Sequence, residues 1–163
     1  MIKNIKIPEE RLPVLIGRNG TTKKSIAKKT KTKILIEEEV TIEGESLDVL
    51  DAGNIVRSIG RGFSPEISMK LLDEENTLSI IDLPKEERTR KRISSRLIGT
   101  NGKSRRNLER LTGTYISVYG KTVSIIGKYQ NVSLAEQALK ELIDGVPHRF
   151  VYELLEGKQN ERA

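Results

Sequence analysis

Apolar and polar positions along the chain fall into the same pattern twice. Ile5-Lys6-Ile7 and Leu78-Ser79-Ile80-Ile81 are short β-rich runs that end near Pro8 and Pro84. A helical stretch follows each, over about 9–16 and about 85–98, and the glycines at 17 and 99 stop it. Pro13 lies inside the first stretch and predicts a short or kinked helix there. Second helices are predicted over 21–30 and 103–112, with Ile26 and Leu108/Leu111 as apolar positions. Lys33–Glu38 and Tyr115–Tyr119 then alternate as strands, and Val40–Glu43 and Thr122–Ile126 return antiparallel to them. The hairpins turn near Glu38-Glu39 and Gly120-Lys121. A final amphipathic helix closes each copy, near 47–59 (Val49, Ala52, Ile55, Val56, Ile59) and near 131–144 (Val132, Ala135, Ala138, Leu139, Leu142).

The order β-α-α-β-β-α therefore occurs twice, and the residues repeat with it. Leu15-Ile16-Gly17-Arg18-Asn19-Gly20 lies over Leu97-Ile98-Gly99-Thr100-Asn101-Gly102 at a constant offset of 82 residues. The match runs on without a gap through Lys23/Arg105, Ile26/Leu108, Thr30/Thr112, Ile34/Ile116 and Ile36/Val118. A period this long marks duplicated domains, not a solenoid. The expected fold is α+β, with three helices on one face of a three-stranded antiparallel sheet in each copy. The expected boundaries are 1–62 and 77–146 for the two domains, with 63–76 as a linker. Gly60-Arg61-Gly62 separates the copies, and a short helix over 65–72 fits the linker. Residues 147–163 are expected to form a C-terminal helix and tail. Phe150, Val151, Leu154 and Leu155 share one face of that helix and suit docking onto a domain, while Lys158–Ala163 look frayed.

Composition narrows the class. Of the 163 residues 36% are hydrophobic, enough for two small cores, and cysteine is absent, which removes disulfides and thiolate metal sites. No apolar run approaches the roughly 18 residues of a membrane span, and Met1 opens onto Ile-Lys-Asn-Ile-Lys-Ile without a signal-peptide layout. A soluble, cytoplasmic protein is expected, and the abundance of Lys and Glu suits a heat-adapted source. The formal net charge is +6, and its distribution is uneven. Residues 9–33 hold eight Lys/Arg against two Glu, and residues 85–113 hold ten against three, so the remainder is acidic. Such segregation is the footprint of a nucleic-acid surface.

Both basic segments carry a G-x-x-G loop between two helices. Glycine permits the backbone angles that a sharp helix-to-helix turn needs. The helix that follows offers free N–H groups and the positive end of its dipole to phosphate oxygens. Lys23/Lys24 and Lys103/Arg105/Arg106 add charge one turn later. Gly102-Lys103-Ser104 imitates the end of a nucleotide-binding P-loop, but that motif needs a glycine where Leu97 stands.

These residues resemble KH domains of the β-α-α-β-β-α type, type I. Lys23 and Arg105 depart from the family's usual aliphatic residue three positions after the second glycine. Arg96 through Lys103, with the run from Leu108 to Gly127, is similar to the two-KH assembly factors of the small ribosomal subunit, in their compact archaeal form. The resemblance implies single-stranded RNA as ligand, near the 3′ end of small-subunit rRNA during its maturation. It also implies two protein partners, a PIN-domain endonuclease and the alpha subunit of translation initiation factor 2. In a KH groove RNA lies between the glycine loop and the second strand with its following turn, about four nucleotides per module.

In the second copy that wall is Ile116-Ser117-Val118-Tyr119 followed by Gly120-Lys121; in the first it is Ile34-Leu35-Ile36 followed by Glu37-Glu38-Glu39. Three carboxylates repel a phosphate chain. The second module is thus expected to be the main RNA reader, through Arg96, Ile98, Gly99, Thr100, Asn101, Gly102, Lys103, Arg105, Arg106, Ile116, Ser117, Val118, Tyr119 and Lys121. Gly17, Arg18, Asn19, Gly20, Lys23 and Lys24 are expected to form a secondary RNA- or protein-binding site. Rival readings are a KH regulator of messenger RNA and a protein-interaction scaffold. No cofactor or metal is expected, and no enzyme activity. The single histidine, His148, reads as a surface residue without a nucleophile nearby. Glu37–Glu39 and Asp73-Glu74-Glu75 read as strand-end and linker runs, not as a metal site.

Overall fold

The computed structural model describes residues 1–162. The chain divides into two compact units, the first ending at Asn76 and the second beginning at Thr77. In the first unit the order is β1 (Ile2–Ile5), α1 (Leu12–Ile16), α2 (Thr21–Thr30), β2 (Lys33–Ile36), β3 (Val40–Glu43), α3 (Ser46–Gly60) and α4 (Pro65–Ser68). In the second it is β4 (Asn76–Asp82), α5 (Glu87–Ile98), α6 (Lys103–Thr112), β5 (Tyr115–Tyr119), β6 (Thr122–Lys128), α7 (Tyr129–Ile143) and α8 (His148–Arg162). Each unit is α+β with a three-stranded antiparallel sheet, of order β1-β3-β2 in one and β4-β6-β5 in the other.

The duplicated pattern is visible at the level of single hydrogen bonds. Thr30 Oγ1 donates to Ile26 O at 2.7 Å and lies 2.8 Å from Thr32 Oγ1. Thr112 Oγ1 donates to Leu108 O at 2.6 Å and lies 2.7 Å from Thr114 Oγ1. Both threonines are buried, and each closes the last turn of the helix after a glycine loop. Register is also shared: Ile34 pairs with Ile42, and Ile116 with Ile125.

Several elements differ from the sequence pattern. The first strand is Ile2–Ile5, earlier than Ile5-Lys6-Ile7, although Ile7 is still buried. Pro13 sits in the first turn of α1, where its missing N–H costs no hydrogen bond; the helix is short, with one 3₁₀ turn (Glu9–Arg11) before it. Gly60 is the last residue of α3. A Cβ there would lie 2.6 Å from the Ile7 side chain, so the helix and the segment after β1 meet closely only because it is glycine. The linker region forms α4 and a 3₁₀ turn over Met69–Leu72.

Among the described residues of the second unit fifteen side chains form one core, including Ile93 and Leu97 of α5, Leu108 and Leu111 of α6, and Leu139 and Leu142 of α7. Helix α8 joins it through Val151 and Leu155, each 1% exposed. Phe150 and Leu154 do not share that burial, at 50% and 45% exposed. The buried pair and the exposed pair are each spaced i, i+4, but lie about 100° apart around the helix, so one face docks and the next does not. The expected frayed end is helical as far as Arg162, and Ala163 lies outside the described residues. Among the described residues no helix is long and apolar enough to cross a membrane.

Candidate nucleic-acid interface

The two glycine loops have the same backbone to within a few degrees. Gly17 has φ 74° and ψ 177°, Asn19 φ 56° and ψ 29°, and Gly20 φ 73° and ψ 15°. Gly99, Asn101 and Gly102 have φ 73°, 54° and 76° with ψ 175°, 28° and 12°. Three of four residues thus need left-handed or related angles, which glycine and asparagine tolerate. Sterics add to this at the first glycine. A Cβ on Gly17 would fall 2.2 Å from Thr22 Oγ1, and one on Gly99 would fall 2.8 Å from Ser104 Cβ. Arg18, Asn19, Thr100 and Asn101, the residues between the glycines, are exposed. Neither α2 nor α6 has a side-chain N-cap; the first N–H of each helix, on Thr21 and on Lys103, donates to a carbonyl of the loop itself, Arg18 O and Thr100 O.

The cations expected at the second loop divide by what they touch. Lys103 is exposed at the first position of α6. Arg106 is exposed and donates through Nη1 to Asn101 O at 2.6 Å, which braces the tip of the loop. Arg105 is half-buried and pairs with Glu109 at 2.8 Å, while the other Glu109 oxygen accepts from Ile116 N at 2.9 Å. That chain ties α6 to the start of β5, and explains how a cation replaces the usual aliphatic residue: its head is neutralised within the fold. Lys23, the counterpart of Arg105, is half-buried, and Lys24 is exposed.

Arg96 requires a correction. Its Nε donates to Leu142 O at 3.1 Å and its Nη2 to Val146 O, so the guanidinium closes the carbonyl end of α7. Both bonds hold the fold. The first unit has the same device in Arg11, which donates to Ile59 O and Phe63 O, both at 2.8 Å. Arg11 was not singled out in the sequence because it falls one turn earlier in the repeat than Arg96 does. His148 is also corrected: it is half-buried, with Nε2 3.0 Å from Arg96 O and its ring 5.8 Å from that of Tyr152. Facing a carbonyl, Nε2 must carry the proton. Tyr152 donates to Ser104 Oγ at 3.1 Å, directly behind the loop.

The far wall is β5 and its turn. Ile116 is only 4% exposed and belongs to the core, and Val118 packs against that core half-buried. Ser117 and Tyr119 alternate with them on the opposite sheet face, together with the exposed Tyr115. Ile98 is half-buried beside the loop, and Lys121 is exposed in the β5–β6 turn. In the first unit Leu35 is 49% exposed, and Glu37, Glu38 and Glu39 are all exposed in the β2–β3 turn. Charge at the end of the wall is thus cationic in one unit and anionic in the other.

Two copies of a β-α-α-β-β-α fold, each with an intact glycine loop between its first helices, define a tandem KH protein of type I. Residues 76–160 match the Eukaryotic type KH-domain (KH-domain type I), and residues 2–58 match the KH domain. The chain is 42% identical to a KH domain-containing protein of Methanocaldococcus jannaschii over 165 aligned positions, 95% of this chain and 73% of that one. It superimposes with TM-score 0.91 and 40% identity on a chain of the crystal structure of the a/eIF2alpha–aDim2p–rRNA complex from Pyrococcus horikoshii OT3, covering 99% of this chain and 95% of the other. The RNA-binding protein pno1 of Drosophila melanogaster is 29% identical over 122 residues, and the alignment spans 51% of that longer protein. The chain belongs to the Dim2p/pno1 family of two-KH-domain proteins.

Proposed function

We propose that this chain binds single-stranded RNA during assembly of the small ribosomal subunit, near the 3′ end of small-subunit rRNA, with the second module as principal reader. The observation that carries this reading is the pair of preformed glycine loops, each placing an exposed tip against a helix N-terminus that has no side-chain cap. A sugar-phosphate backbone laid there meets oriented N–H groups at no cost in loop ordering. The aDim2p complex with rRNA and a/eIF2alpha supports both the RNA class and the initiation-factor subunit as partner. The PIN-domain endonuclease remains an expectation from family resemblance. The protein acts as a binder and leaves cleavage to its partners.

The assignment of the second module as reader rests on the walls. Lys121 ends one and Glu37–Glu39 end the other, so a phosphate chain leaving the first groove meets three carboxylates. The first module takes a secondary or protein-facing role. Its α3 also exposes Leu47 and Leu50, at 76% and 47%, in the company of Asp48 and Asp51. Crosslinking the protein to RNA in cell extract, then sequencing the bound fragments, tests the proposal. Reads should gather near the 3′ end of small-subunit rRNA; reads spread over messenger RNA instead would support the rival regulator reading.

A further inference from the structure

The first helices of the two modules differ in length and charge. Helix α1 has five residues, Leu12–Ile16, none of them charged. Helix α5 has twelve, Glu87–Ile98, and carries Arg88, Arg90, Lys91, Arg92 and Arg96. Arg90 and Arg96 are engaged by backbone carbonyls, Arg90 by Lys85 O at the surface and Arg96 at the end of α7. Arg88, Lys91, Arg92 and Ser95 are exposed. At 100° per residue Arg88, Arg92 and Ser95 fall on one stripe, opposite the buried Ile93 and Leu97, and the stripe runs into Gly99 at the loop. From Arg88 to Gly99 it spans roughly 16 Å, room for at most about five phosphates spaced 3.4 Å or more apart along a strand. The carboxylates at the start of the helix are engaged: Glu87 pairs with the exposed Lys91 at 2.9 Å, and Glu86 accepts from Thr89 Oγ1 at 2.6 Å.

Resting on the RNA-binding reading above, we propose that the RNA path of the second module continues beyond the glycine loop along α5, whose Arg88–Lys91–Arg92 stripe forms a phosphate track that the first module lacks. The track is sequence-blind. It neutralises backbone charge while the groove reads bases. The module therefore occupies more nucleotides than the four or so of a KH groove alone.

Single-stranded RNA of randomised sequence, 6 and 12 nucleotides long and fluorescein-labelled, separates the possibilities by anisotropy. Extra binding registers alone favour the 12-mer by about threefold for a four-nucleotide groove. The wild-type chain should favour it by about tenfold or more, and R88Q/R92Q should retain only the register effect, with the 6-mer affinity changed less than about twofold. The salt slope for the 12-mer should also fall by about 1.4, at 0.7 per lost contact on a single strand. The control K140Q/K158Q removes the same charge from α7 and α8 and should leave the length dependence intact. Equal losses on both RNAs, an equal loss in the control, or displacement of the 12-mer by polyglutamate as efficiently as by RNA would each overturn the track. T100D/N101D tests the groove separately: undiminished 6-mer binding in that variant rejects the glycine-loop reading and leaves the track to be judged on R88Q/R92Q. Circular dichroism checks that the variants fold, as they should with both arginines exposed.

Discussion

The two modules share a fold down to the hydroxyl bonds of Thr30 and Thr112, yet their surfaces have opposite characters. The first places Glu37–Glu39 at the end of its groove wall, exposes Leu47 and Leu50, and leaves a cleft of about 420 Å³ between α2 and α4, lined in part by Thr22, Lys29 and Met69. The second ends its wall in Lys121, lengthens its first helix with basic residues, and braces the back of its loop through Tyr152 and Ser104. A duplicated backbone therefore does not carry a duplicated surface. What the repeat preserves is the set of bonds that closes the core and shapes the loop; what diverges is the charge that a ligand meets.

The sharpest way to break this comparison is to damage both loops in the same manner. T100D/N101D should weaken binding of a small-subunit 3′-terminal RNA by about 100-fold, because two carboxylates replace neutral side chains at the exposed tip proposed to meet phosphate. R18D/N19D should cost less than about fivefold. Filter binding at fixed salt is sufficient, and equal losses would reject the asymmetry between modules.

The arginine anchors probe what the modules have in common. Arg11→Ala and Arg96→Ala each remove a guanidinium that serves two backbone carbonyls at the end of a helix. Each should destabilise its own module by about 2 kcal/mol in urea unfolding, in line with hydrogen bonds to charged groups. RNA affinity of the folded Arg96→Ala protein should change less than about twofold. A large affinity loss at unchanged stability would return Arg96 to the list of RNA ligands.

Turning the acidic wall neutral tests the comparison from the other side. E37Q/E38Q/E39Q should raise the residual RNA affinity of a T100D/N101D chain by about fivefold, a gain that high salt erases. No gain would mean that these side chains stand clear of any RNA path in the first groove.

Much of this architecture was legible in the chain. The offset of 82 residues, the glycine loops and the helix faces follow from local pattern, and local pattern is what the structure retains over Leu15–Ile36 and Leu97–Val118. Past the hairpins the offset becomes 83, as Val40/Val123 and Ile59/Leu142 show, because the second hairpin is one residue longer. The polar side chains that read differently in the fold share a physical source. Arg96 beside a glycine loop on a basic helix reads as a phosphate ligand, but its partners lie 46 and 50 residues away. His148 reads as a surface residue until its bond to Arg96 O, 52 residues away, is seen. Tertiary partners of long polar side chains leave no periodic trace, so a sequence shows which cations exist and not which of them the fold has already used.

The smallest effect concerns the acidic character of the first module itself. Asp51 of α3 holds its proton above the usual carboxylate range, first through partial burial and then through the charges of Asp48 and Glu74. At the matching positions of α7, with the offset of 83, stand Leu134 and Asn131 in place of Asp51 and Asp48, so the second module has no such strain. A carboxyl whose folded-state pKa lies above its unfolded value favours the folded state most when protonated. That contribution is present below the unfolded pKa, near 3.8, and is lost as pH rises through the folded value. At neutral pH the ionised group therefore opposes folding. Asp51→Asn should stabilise the first module at pH 7 by about 0.3 kcal/mol, a figure kept small by solvent screening of an exposed group, and by nothing at pH 3. Urea unfolding at the two pH values reads the difference, with RNA affinity unchanged at pH 7. An equal gain at both pH values would assign the effect to helix propensity and not to charge, and the first module would lose its claim to an electrostatically strained acidic face.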